Sequence, residues 1–322
     1  MLNTTIVDWS GRGDTGAVVS ARNALPIAEA VAAERDGVSG LLAEYGAVLF
    51  RGFDVEDANE FSNTVDQLGW RPMDYVYRST PRSAVARNVH TATEFPANLS
   101  IPMHSENAFQ RDWPMHLAFC CLQPALIGGH TPLASLDKVS HVLGETLMDE
   151  FEARRVKYVR HYQPYVDLSW ETVFQTNNRD TLAAYCRANH IEHTWLANGT
   201  LRTSQVCQGT MIHPERGARV FFNQAHLFHV TSQGTDAAEA MIDLFGEEVP
   251  RNAFFGDGGE IHDVILDNIR KAFSGASFSF SWKQGDVLLI DNMRYAHGRQ
   301  PFTGDRHVVV SLRDPYSAAH AR

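Results

Sequence analysis

Between residues 27 and 42 apolar side chains recur at helical spacing, with Ile27, Val31, Val38, Leu41 and Leu42 among them, and Pro26 stands at the entry. Residues 45–50 form a short apolar run that predicts a buried strand ending at Gly52. Residues 54–68 predict a second helix with Phe61, Val65 and Leu68 on its apolar side, stopped by Gly69. Residues 75–100 alternate only weakly and are rich in Thr, Pro and Asn, which predicts strands joined by irregular loops. A buried strand is expected over residues 115–122, a turn at Gly128-Gly129, a strand opening at 131–134 and a helix after Ser135 within 133–150. Residues 181–188, 237–244 and 261–273 carry further helical patterns. Short strands are expected at 219–222 and 278–282. Residues 287–290, entered through Gly285-Asp286, and the β-branched run 307–312 predict late core strands.

Short strands with peripheral helices, and no internal repeat, fit a β-sandwich or open barrel with helical cover. No interdomain linker stands out, so residues 1–322 read as one domain, a size that allows a large buried core. The net charge of -10 argues against a nucleic-acid binder, which needs a basic footprint. The basic run Arg154-Arg155-Val156-Lys157 is short enough to be a solvated face. Cys120, Cys121, Cys186 and Cys207 form no closely spaced pairs, so neither a zinc site nor a disulfide framework is indicated, and a reducing cytoplasm fits. Residues 1–5 lack the pattern of a secretory signal, and no run of eighteen apolar residues offers a membrane span.

The chemistry lies in two distant segments. In Ile101-Pro102-Met103-His104-Ser105-Glu106-Asn107 the proline favours extended backbone, and in a strand His104 and Glu106 point to one face. The pair alone is weak, because a surface histidine beside a solvated carboxylate is common. The second segment strengthens it: the apolar strand at 287–290 runs into a polar stretch that delivers His297. Two imidazoles and a carboxylate on one face, with open positions opposite, are the ligand set of non-haem Fe(II) that activates dioxygen. Arg306, opening the last strand, offers a guanidinium suited to a bidentate carboxylate, with a structural ion pair as the alternative.

At these residues the chain resembles the iron- and 2-oxoglutarate-dependent oxygenases of the taurine-dioxygenase-like superfamily, nearest the branch of clavaminate synthase and amino-acid or aspartyl hydroxylases. The resemblance spans roughly residues 45–312 and rests on His104-Ser105-Glu106, on Gly128-Gly129-His130-Thr131, and on residues 297–302 followed by Arg306. It implies a mainly β fold with a double-stranded β-helix (jelly-roll) core and peripheral helices. It also implies Fe(II) held by His104, Glu106 and His297, and 2-oxoglutarate whose far carboxylate meets Thr131 and Arg306. The implied reaction uses dioxygen to hydroxylate an unactivated carbon of a small amino acid, free or presented by a carrier protein, in specialised metabolism. Desaturation or cyclisation at the same iron, or a noncatalytic cupin-like metal-binding protein, are the alternatives. Glu106 stands where many relatives have Asp; a carboxylate there leaves no room for the chloride of a halogenase.

Four further residues are candidates for substrate contact. Asn107 adjoins Glu106, where a turn-stabilising role competes. Asn223 lies in a segment, 221–229, that resembles one in the same branch; His226 and His229 within it read as packing groups rather than extra ligands. Asp257, with Glu260, sits in a glycine-rich acidic segment suited to an amine, and Arg294 precedes His297 and suits a substrate carboxylate. Gly128-Gly129 matches neither glycine-rich nucleotide-binding pattern.

Overall fold

The computed structural model describes residues 2–320 except Arg12, 22–24, Tyr75, Arg78 and 164–165. Met1 and Tyr75, each at the start of a segment read from sequence, thus lie outside the described residues.

An eight-stranded sheet organises the fold. Its order is Leu2–Asp8, Thr15–Ala21, Ala47–Phe50, Val287–Asp291, Asp112–Gln123, His307–Ser317, Val89–Thr91 and Ala84–Ala86. Ala47–Phe50 and Val287–Asp291 are buried at every position, which explains why both read as unbroken apolar runs rather than alternating ones. Strand periodicity sends their side chains into two different cores. Val48, Phe50, Val287 and Leu289 pack with Val31 and Phe61 under the N-terminal helices. Leu49, Leu288 and Ile290 pack on the opposite face with Phe119, Leu133 and Tyr295.

That second face is met by a four-stranded sheet in the order Ser277–Phe278, Leu133–Ser135, Tyr295–Arg299 and Ile101–His104, which carries the candidate site. A separate sheet of Glu192–Trp195, Leu201–Cys207, Val156–His161 and Arg251–Phe255 contributes to the largest core. Helices Leu136–Arg154 and Asp263–Ala276 pack into the same core.

The expected jelly-roll core is corrected by this topology. The fold is mixed α/β with several sheets, and among the described residues no sheet closes on itself. The eight-stranded sheet ends on Leu2–Asp8 at one edge and Ala84–Ala86 at the other. Its N-terminal side is extended by a parallel pair, Thr15–Ala21 with Ala47–Phe50, whose crossover contains two helices. Local patterning marks where strands occur but not which edges meet, so closure was beyond its reach.

Other boundaries moved for identifiable reasons. The helix expected over 27–42 is two helices, Ile27–Ala33 and Arg35–Tyr45, separated at Glu34 with φ -125 and ψ 32. The helix expected from residue 54 starts at Ala58, because Asp57 caps it by accepting from the backbone N–H groups of Asn59 and Glu60. The strand expected at 278–282 is confined to Ser277–Phe278. Among the described residues no helix is long and apolar enough to cross a membrane.

Candidate metal centre

His104 closes strand Ile101–His104, and His297 is the middle residue of Tyr295–Arg299; the two are directly paired across the antiparallel ladder. Their rings stand 4.4 Å apart between centroids. Glu106 lies two residues past the end of its strand, so simple alternation does not by itself place it beside His104. It is brought there all the same: one ligand atom from each of His104, Glu106 and His297 lies within 4.8 Å of the others. His297 Nε2 is 3.8 Å from Glu106 Oε2.

The donor set fits a divalent cation. Burial lowers the pKa of both imidazoles, more strongly at His297, where the neighbouring His104 and Arg82 act in the same direction. At His104 burial outweighs the opposing pull of the Glu106 charge. Both rings are thus held neutral, each with a lone pair to give. His104 Nδ1 lies 2.9 Å from the Pro102 carbonyl, and donating there leaves Nε2 as the ligating nitrogen. Phe119 stands edge-on to the His297 ring at 5.1 Å.

Glu106 is fixed through its backbone and its carboxylate. Its N–H donates to Asn292 Oδ1 at 2.7 Å, while Asn292 Nδ2 donates to the carbonyls of Glu106 and Pro114, each at 2.9 Å. The guanidinium of Arg82 donates to Glu106 Oε2 at 2.7 Å. Asn107 takes φ 57, a left-handed conformation that asparagine tolerates better than most residues. Its side chain is buried and has no hydrogen-bond partner among the described residues.

The turn that leads to His297 is also tied down. Asp291 accepts from the Met293 N–H at 2.8 Å and lies 2.8 Å from His213 Nε2. Arg294 donates to the carbonyls of Leu42, Ala43 and Glu44, at the C-terminal end of helix Arg35–Tyr45. The structure therefore engages Arg294 in helix capping, away from the triad. Gly46 makes this approach feasible: it has φ 73, and a Cβ there would sit 2.7 Å from Arg294 Nε.

On the other side of the triad, Arg306 donates from Nε to the Gly129 carbonyl at 2.8 Å and from a terminal nitrogen to Thr131 Oγ1 at 3.3 Å. Trp282 Nε1 donates to the same hydroxyl at 3.0 Å. With its oxygen accepting twice, the Thr131 hydroxyl has its proton available for an acceptor. Burial lowers the Arg306 pKa to about 10, and no carboxylate among the described residues pairs with it. An unneutralised buried cation is costly, and a ligand carboxylate removes that cost. Thr131, Arg306, His104 and His297 line one small cavity of about 30 Å³. These residues fit 2-oxoglutarate.

A second cavity, of about 130 Å³, adjoins His104 and Glu106 and is lined by Arg82, Gln224, Phe228 and Arg251 among others. It shares Phe95, Leu227, Phe228 and Arg251 with a groove of about 520 Å³. Arg251 is held at this junction by a bidentate pair with Asp167. Asn223 donates to the Gly209 carbonyl at 2.6 Å and accepts from the Ala225 N–H at 3.0 Å; its neighbour Gln224 is the residue that lines the cavity. Asp257 is exposed and paired with Arg154 at 2.9 Å, on the turn after Arg251–Phe255. His226 donates from Nε2 to the Met103 carbonyl at 3.0 Å and stacks on Phe273. His229 meets Thr231 Oγ1 at 2.8 Å.

Sequence reasoning did not single out Arg82, Asn292 or Trp282. Each acts across more than a hundred residues or from a loop without periodicity, so no local signal marks it. Gln224 lies inside the segment that drew attention, one position from the residue chosen.

Known proteins agree with this geometry. Residues 14–312 match the model of the taurine catabolism dioxygenase TauD, TfdA family. The chain is 40% identical over 279 residues to the dapdiamide synthesis protein DdaC of Enterobacter agglomerans, covering 86% of this chain and 85% of that one. It is 30% identical over 299 residues to a clavaminate synthase-like protein of Arabidopsis thaliana, covering 88% and 86%. The solved structure of PvcB from Pseudomonas aeruginosa superposes with a TM-score of 0.56 at 16% identity, over 100% of this chain and 95% of that one, a likeness of fold. With a His-Glu-His cluster, and beside it a half-buried arginine that no carboxylate among the described residues pairs with, the chain belongs to the TauD, TfdA family and is a 2-oxoglutarate-dependent non-haem iron oxygenase.

Proposed function

We propose that the enzyme hydroxylates an unactivated carbon of a small amino acid presented as part of a longer molecule, such as an aminoacyl group on a carrier protein, in specialised metabolism. The observation that carries this reading is the cavity beside Glu106, which shares its wall with a groove about four times larger. The inner cavity suits a small side chain, and the groove gives the rest of an extended substrate somewhere to lie. The likeness to a dapdiamide synthesis protein supports a substrate derived from an amino acid.

In this reading His104, Glu106 and His297 hold the iron, and Arg306 with Thr131 receives the far carboxylate of 2-oxoglutarate. When bound, iron and 2-oxoglutarate supply the oxidising power: dioxygen is consumed, 2-oxoglutarate is cleaved to succinate and carbon dioxide, and one oxygen atom goes to the substrate. The chain's own work is placement and exclusion of water. Asn292 fixes the backbone of Glu106, Phe119 confines His297, and Phe228 gives the substrate cavity an apolar wall. Such confinement matters because small misplacements reduce rate steeply. Asp257 and Arg294 have no part in this proposal, their charges being engaged by Arg154 and by helix carbonyls.

The test is to supply Fe(II), ascorbate and 2-oxoglutarate and to compare free amino acids with their carrier-bound thioesters. Succinate release coupled to the gain of one oxygen, on carrier-bound substrate alone, is expected. Loss of two hydrogens instead would point to desaturation or cyclisation, and equal turnover of free amino acids would remove the carrier from the proposal.

A further inference from the structure

Arg82 was marked by no motif, yet it stands at the centre of the site. Its side chain is 3% exposed, and its terminal nitrogen reaches Glu106 Oε2 at 2.7 Å. The same nitrogen lies 3.4 Å from Thr93 Oγ1. Glu106 Oε2 is also the oxygen that faces His297 Nε2 at 3.8 Å. Arg82 lines both the small cavity with Thr131 and Arg306 and the cavity that leads to the groove, so its guanidinium forms part of the partition between them.

We infer that Arg82 is a positioning residue that holds the longer Glu106 side chain in the conformation in which its carboxylate ligates the metal. A glutamate has one more rotatable bond than an aspartate, so a carboxylate ligand of this type loses more freedom when it binds an ion. Asn292 holds only the backbone of Glu106 and leaves the side-chain torsions open. The charge-assisted bond from Arg82 closes them. A carboxylate oxygen has more than one lone pair, so Oε2 accommodates the guanidinium and a cation from different directions. Groups that orient metal ligands in this way commonly contribute about 10- to 100-fold in metal affinity.

The inference rests on the reading of His104, Glu106 and His297 as metal ligands, and metal binding without co-substrate separates the two. Mn(II) is titrated into the wild-type protein, Arg82→Lys and Arg82→Gln, with thermal unfolding followed on the same samples, and the visible spectrum of the Co(II)-loaded forms is recorded. Wild-type protein that does not bind Mn(II) sinks the ligand assignment itself. If the wild type binds, Arg82→Gln is expected to weaken Mn(II) by about 10- to 100-fold and to alter the Co(II) spectrum, with Arg82→Lys intermediate. A purely structural arginine would lower the unfolding temperature and leave affinity and spectrum unchanged, which overturns the inference. Should Arg82→Gln fail to fold, Arg82→Lys decides: an affinity loss beyond about threefold supports the role, and a smaller one overturns it.

Discussion

His104 and His297 are direct cross-strand partners, so the two imidazoles are placed by a backbone ladder rather than by flexible loops. Glu106 completes the cluster from just beyond the strand. Replacing any of the three with Ala removes a ligand without disturbing the eight-stranded sheet. For Glu106→Ala and His297→Ala we expect loss of Mn(II) binding in a titration and of succinate formation in the presence of 2-oxoglutarate. Unchanged turnover in Glu106→Ala would take that residue out of the ligand set.

Arg306 has an opposite effect on stability and on binding. Its half-buried charge has no carboxylate partner among the described residues until a ligand brings one. Arg306→Met should therefore leave the ligand-free protein at least as resistant to urea as the wild type. The same change should weaken 2-oxoglutarate by about 10- to 100-fold, the worth of one or more hydrogen bonds to a charged group. Adding 2-oxoglutarate with Mn(II) should raise the unfolding temperature of the wild type but not of the variant. A variant that unfolds early yet binds 2-oxoglutarate normally would mean that Arg306 is structural.

His226 makes stability depend on pH. Burial lowers its pKa to about 4 from 6.5, outweighing the upward pull of the bond from Nε2 to the Met103 carbonyl; Nδ1 has no partner among the described residues and the ring lies against Phe273. The folded value is below the unfolded one, so the unfolded chain takes up the proton first. The stabilising contribution is complete above pH 6.5 and is lost as pH falls toward about 4, on the order of 3 kcal/mol in all. Urea unfolding at pH 7 and pH 5 measures this. His226→Phe should be less stable at pH 7, having lost the bond to Met103, and should show a flatter dependence; an equally steep one would assign the effect elsewhere.

Asn292 satisfies three backbone groups, the N–H and carbonyl of Glu106 and the carbonyl of Pro114. Asn292→Ala should cost about 3 kcal/mol in urea unfolding, near 1 kcal/mol per buried bond. Its metal affinity should fall as well, since the Glu106 backbone is then free to move. A loss below about 1 kcal/mol would show that water replaces the amide fully.

Much of this was legible in the sequence. The apolar runs at 47–50, 115–122 and 287–290 are central strands because both of their faces are covered, and the three ligands were named from residue type and order. What escaped was long-range pairing. Nothing local in Thr15–Ala21 announces a parallel partner at Ala47–Phe50, and nothing in Pro81-Arg82 announces Glu106. Arg294 was misleading for a similar reason: its sequence neighbour is a metal ligand, but its guanidinium turns toward carbonyls about 250 positions earlier. Asp257 likewise meets Arg154, about a hundred positions away.

The ladder between Ile101–His104 and Tyr295–Arg299 has a temporal consequence as well. Two of the cation's three ligands are synthesised almost two hundred residues before the third, and contacts of such wide separation form late and slowly. A growing polypeptide on the ribosome, or a chain clipped ahead of Tyr295, owns only two of the three ligands. The complete three-ligand cage thus exists only once Tyr295–Arg299 has docked against Ile101–His104.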